Sequence, residues 1–125
     1  MMIVQDEHGA YLMQFRDGRK KNINDYTFTF FGGSLEEGED GKIGVIREFF
    51  EETGISCKID EISLIQRGEY EPGWMTEFYK MNRIVNPHDI RLSEGSGFAF
   101  IPYHDLNRVP LSVMIKEFIK KHKEL

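Results

Sequence analysis

Glu48, Glu51 and Glu52 crowd one turn of a predicted helix that follows the double glycine Gly32-Gly33. Residues at i, i+3 and i+4 share a helix face, so three carboxylates point the same way about one turn apart. Like charges so placed repel and weaken an isolated helix. A hard multivalent cation with oxygen ligands would turn that cost into binding. A Glu-rich face taken alone is more often solvated surface, so the residues around it have to decide.

The charge count narrows the choice. Residues 33–55 hold seven acids and two bases, which equals the formal net charge of −5 for all 125 residues. The remainder of the chain is balanced, which argues against a broad basic surface for nucleic acid. A phosphate-bearing ligand stays compatible, because bound metal ions would reverse the local sign. The length predicts a single domain over residues 1–125 with a real hydrophobic core. No apolar run is long enough to span a bilayer. The first residues, MMIVQDEHGA, lack the pattern of a secretory signal. One cysteine, Cys57, excludes an internal disulfide and fits a reducing compartment, so the expectation is a cytoplasmic protein away from membranes.

Periodicity places the elements. Ile3-Val4 and Ala10–Phe15 read as strands around a turn at residues 6–9, and Tyr26–Phe31 alternates β-branched and aromatic residues in a strong strand pattern. The acidic helix is predicted from about Lys42 to Thr53, with Asp40 as N-cap and Gly54 as the C-terminal glycine. Ile43, Ile46 and Phe50, together with Val45 and Phe49, are expected to face the sheet. Ser56–Ile59, Ile62–Gly68, Met75–Ile84 and Phe98–Ile101 read as further strands, with turns at Pro72-Gly73 and Asn86-Pro87. From Leu111 onward, apolar residues at helical spacing oppose Lys116, Lys120 and Lys121, which predicts a terminal amphipathic helix. Strands with helices before and after predict an α+β fold, an α/β/α sandwich.

The segment Gly33…Glu39…Arg47-Glu48-Phe49-Phe50-Glu51-Glu52-Thr53-Gly54-Ile55 resembles the Nudix box, G-x5-E-x7-R-E-U-x-E-E-x-G-U with U apolar, and matches it at every specified position. The resemblance covers 23 residues directly. It implies a mixed β-sheet flanked by the box helix and the C-terminal helix. It also implies Mg2+- or Mn2+-dependent hydrolysis of a nucleoside diphosphate linked to another moiety. By position, Glu48, Glu51 and Glu52 become the metal-ligand set together with the backbone carbonyl of Gly32. Arg47 would hold a glutamate in place, and Glu39 takes a structural part.

Family members differ in the glutamate that activates water. In some it is the first glutamate of the helix, here Glu48, and in others one from a later loop; Glu52 is a catalytic candidate beside Glu48 as a metal ligand. Glu94, in the loop LSEGSGF, is the later candidate, as a metal or water contact or else as a solvated loop carboxylate. Arg16 at the end of the second strand and Trp74 after the Pro-Gly turn are the candidate substrate contacts. The chain departs from the common pattern in having Phe31 before the double glycine and Gly44 where alanine is frequent. Both changes spare the ligand set. The expected partner is a small soluble nucleotide, with a homodimer open as in many family members. The competing reading is a Nudix-type domain that senses a nucleotide without cleaving it.

Overall fold

The computed structural model describes the chain except residues 19–20, 22, 34–36, 94–96 and 124–125. Among the described residues there are six strands: β1 (Met2–Ile3), β2 (Tyr11–Phe15), β3 (Phe28–Thr29), β4 (Ile62–Glu71), β5 (Trp74–Met81) and β6 (Phe98–Ile101). Two α-helices, α1 (Gly41–Thr53) and α2 (Val113–Lys121), accompany them, with short 3-10 turns at Ile59–Glu61, Pro87–Asp89 and Tyr103–Arg108.

The strands form two three-stranded sheets, ordered β1-β5-β4 and β3-β2-β6. β1 runs parallel to β5, while β4 pairs antiparallel with β5. The second sheet is antiparallel throughout. A bridge between Met2 and Phe31 and the bond from Leu12 N to Val4 O join the two sheets.

Strand alternation sends side chains to two separate cores. Met2, Val4, Leu12 and Phe31 pack with Val45 and Phe49 of α1. Their neighbours Ile3, Tyr11, Met13 and Phe30 point the other way, onto Ile115 and Phe118 of α2. This two-sided burial is the predicted α/β/α arrangement. Phe118 stacks on Phe78 of β5 with ring centroids 4.2 Å apart, which fixes where α2 docks.

α1 is capped at both ends as its sequence requires. Asp40 Oδ1 accepts from Lys42 N at 2.9 Å and Ile43 N at 3.3 Å. Gly54 takes the left-handed conformation, φ 74°, and its N–H donates to Phe50 O. The buried face differs from the expectation. Gly44, Val45, Phe49 and Thr53 are buried, whereas Ile43 and Phe50 are about half exposed at 53% and 52%. Apolar residues surround this helix, and the stripe Val45-Phe49-Thr53 at i, i+4, i+8 is the one the sheet receives.

Two further elements depart from the sequence reading. Residues 56–58 form no strand, and the Ser56 carbonyl accepts instead from the Arg83 guanidinium. The hairpin of β4 and β5 is longer than expected on the β4 side, reaching Glu71.

Candidate active site

Arg47 organises the acidic face of α1. Its Nε and Nη2 donate to the two oxygens of Glu39 at 2.6 and 2.9 Å, a bidentate pair. Nη1 donates to Glu48 Oε1 at 3.1 Å and to both oxygens of Glu51 at 3.2 Å. One guanidinium thus binds three carboxylates. Glu39, 11% exposed, is the most sheltered of them, and Glu51, 55% exposed, the least. Arg47 therefore offsets the repulsion that the i, i+3, i+4 spacing creates.

The double glycine lies against this face. A Cβ built on Gly33 would sit 2.8 Å from the carboxyl carbon of Glu48, so the missing side chain is the space that Glu48 occupies. Gly32 is packed on Met1, where an added Cβ would lie 3.0 Å from its Cα. The Met1 amino group donates to Glu77 O at 2.8 Å. Burial pulls its pKa down to about 6, opposed by the nearby negative charges of Glu77 and Glu52.

The far end of α1 is fastened to the segment before β6. Arg91 N donates to Thr53 O at 2.8 Å and Ser93 N to Glu52 O at 3.3 Å. Glu94, next in the chain, lies outside the described residues.

The structure thus brings Glu48, Glu51, Glu52, Arg47, Gly32 and Gly33 to one side of α1. Arg16 extends β2, its backbone bonded to Tyr26 and Thr27. Trp74 stands 69% exposed at the turn of the β4–β5 hairpin, three residues before Glu77. Neither contacts the carboxylates through a hydrogen bond or ion pair among the described residues. The sequence reading missed Glu77 and Tyr79, which approach the start of α1: Tyr79 OH donates to Glu77 Oε1 at 3.1 Å. Burial, followed by the Glu77 bond and charge, pushes the Tyr79 phenol up to about 12.

The donor set is carboxylate and backbone oxygen, which suits a hard divalent cation. Among the described residues no group of three acidic, histidine or cysteine side chains is placed to hold a metal ion, and Glu48 and Glu51 are turned onto Arg47. The residues fit such an ion in the chemistry of their donors, while Glu48 and Glu51 are held on the Arg47 guanidinium in this structure.

A family model for the NUDIX domain matches residues 1–121. The chain belongs to the Nudix family. Solved structures agree on the fold. MutT, from a study of the Aliivibrio salmonicida and Vibrio cholerae proteins, superposes with a TM-score of 0.77 at 18% identity, over 96% of this chain and 90% of that one. MutT from Methanosarcina mazei Go1 gives 0.75 at 21% identity, over 96% and 87%. An Ap4A hydrolase from C. elegans gives 0.68 at 18% identity, over 96% and 91%. Sequence comparison with curated proteins gives no match. MutT proteins and an Ap4A hydrolase thus share this fold, which by itself does not specify a substrate. No helix among the described residues is long and apolar enough to cross a membrane.

Proposed function

We propose that this Nudix protein hydrolyses the diphosphate linkage of a small nucleoside diphosphate derivative with the help of Mg2+ or Mn2+. The observation that carries the reading is the intact acidic face of α1, with Arg47 bridging Glu39, Glu48 and Glu51 and Gly33 set against Glu48.

Glu48, Glu51, Glu52 and the Gly32 carbonyl are the groups that would hold the cation, with Glu94 as an additional ligand or water contact. When bound, the ion neutralises phosphate charge and lowers the pKa of a bound water. The protein has little covalent chemistry to perform in such a reaction and contributes position and charge. Arg47 holds Glu48 in reach of the site. Glu52 would take a ligand role, and Glu48 or Glu94 would accept the proton of the attacking water. Arg16 and Trp74 remain the proposed contacts for phosphate and base. Charge balance outside residues 33–55 supports a small nucleotide over a nucleic acid.

The test is turnover across a panel of nucleoside diphosphate derivatives with Mg2+ or Mn2+, with products identified, beside the Glu52→Gln variant. Turnover that falls roughly a hundredfold or more in the variant is expected, the usual weight of a lost acid–base or metal-binding carboxylate. Stable binding of a panel member without product over hours would show a nucleotide sensor instead.

A further inference from the structure

Glu77 lies outside the box, on β5, and its carboxylate occupies the place where the first residue of α1 would carry a side chain. A Cβ on Gly41 would stand 2.0 Å from Glu77 Oε1 and 3.3 Å from the Tyr79 hydroxyl. The carboxylate is braced on its other sides. Tyr79 OH donates to Oε1 at 3.1 Å, and Arg67, the cross-strand partner of Glu77, places Nε 3.7 Å from Oε2. Glu77 is 28% exposed, so most of it is enclosed by these groups.

Helix electrostatics explains why a carboxylate sits there. The N-terminal end of a helix carries partial positive charge and favours an anion. α1 has no acidic residue in its own first turn. Glu77 supplies that negative charge from the neighbouring strand, while Asp40 bonds the free N–H groups. At the opposite end α1 is fastened through Thr53 O and Glu52 O. With its start packed against the Glu77 carboxylate and its end bonded to Arg91 and Ser93, α1 is restrained from turning about its axis. A turn of about 10° at the 5–6 Å outer radius of a helix would move a carboxylate about 1 Å. Displacements of that size cost on the order of a hundredfold in a reaction that depends on alignment.

We propose that Glu77 is a positioning residue for the acidic face of α1, acting through the glycine seat at Gly41. The proposal rests on the reading of that face as a divalent-cation site. Neither Glu77 nor Gly41 is one of the proposed ligands, so both can be changed without removing a donor.

The experiment is a double-mutant cycle on Gly41→Ala and Glu77→Ala, with Mn2+ affinity measured by electron paramagnetic resonance below the melting temperature of every variant. Glu77→Ala is expected to weaken Mn2+ binding about fivefold, the equivalent of one hydrogen bond. Gly41→Ala is expected to do the same, because its methyl group evicts the carboxylate. The double variant is expected to bind no more weakly than Glu77→Ala alone. Glu77→Gln, which keeps the shape and the Tyr79 bond but not the negative charge, should recover only part of the loss, binding Mn2+ more tightly than Glu77→Ala and more weakly than the parent.

Additive effects in the cycle, or a lower melting temperature with unchanged Mn2+ affinity, would overturn the proposal and leave Glu77 a purely structural contact. A parent protein without Mn2+ affinity would overturn it as well. Tyr79→Phe removes only the brace and gives an independent answer if Glu77→Ala does not fold: weaker Mn2+ binding supports the seat, and unchanged binding refutes it. Turnover on the nucleotide panel separates the two readings. Coupled Mn2+ effects without turnover refute the hydrolase alone, whereas turnover with additive effects refutes the positioning role alone.

Discussion

The backbone of Gly33 approaches the carboxylate of Glu48 so closely that a methyl group between them would lie 2.8 Å from the carboxyl carbon and from Oε2. Gly33 has no positive φ, so alanine is conformationally acceptable there. The glycine is needed for space, and the space belongs to one glutamate. The arrangement explains why a glycine stands 15 positions ahead of Glu48 in the box.

Gly33→Ala should therefore leave the fold intact while moving Glu48. The expected result is a melting temperature close to that of the parent and activity lower by about ten- to a hundredfold, the usual cost of misplacing a metal-site group. Circular dichroism and steady-state kinetics on the same preparation check it. Activity at the parent level would mean that the Glu48 position is not used in the reaction.

Arg47→Lys keeps the charge and loses the fork. The guanidinium makes two bonds to Glu39 and further bonds to Glu48 and Glu51, and an ammonium cannot span all three. Glu39 is 11% exposed and would lose its bidentate bond. A stability loss of about 1.5–3 kcal/mol in urea denaturation is expected, the range for hydrogen bonds to charged groups, together with reduced turnover. A substitution that leaves both quantities unchanged would show that Arg47 is a surface contact only.

Cation binding should be visible as stability. A ligand that binds only the folded chain adds about 2.7 kcal/mol at a hundredfold excess over its Kd. For a chain of this size that corresponds to a rise in Tm on the order of 10 °C. Mg2+ or Mn2+ should raise the Tm and a chelator should reverse the rise. Glu48→Gln combined with Glu52→Gln should abolish the shift. Equal shifts in parent and double variant would place the cation elsewhere.

The limits of α1 were legible in the sequence because caps are local: Asp40 and Gly54 act on residues two to four positions away. Its rotation was not. Ile43, Val45, Ile46, Phe49 and Phe50 spread apolar surface around much of the helix, so periodicity alone could not select the buried stripe. The residues of the acidic face were found because the box spacing overrides that ambiguity. The Ser56–Ile59 strand failed for a tertiary reason, since Arg83, 27 positions away, takes the Ser56 carbonyl. Glu77 was invisible for the same reason: its partner Gly41 is 36 positions distant, and nothing in either neighbourhood marks the pair.

Tyr79 ties stability to alkaline pH. Burial and the neighbouring Glu77 carboxylate push its phenol up to about 12 in the folded chain, against an ordinary value of 10.0 in the unfolded one. Between these values the folded state holds a proton that the unfolded state has released, so stability falls as pH rises through the window. The contribution is complete below pH 10 and gone above 12. Replacing Tyr79 by phenylalanine removes the titrating group while keeping the ring packed. The Tm of the parent should therefore drop more steeply than that of Tyr79→Phe between pH 10 and 12, and absorbance near 295 nm should show one fewer late-ionising tyrosine in the variant. Parallel Tm curves for the two proteins would mean that Tyr79 ionises as freely in the folded chain as in the unfolded one.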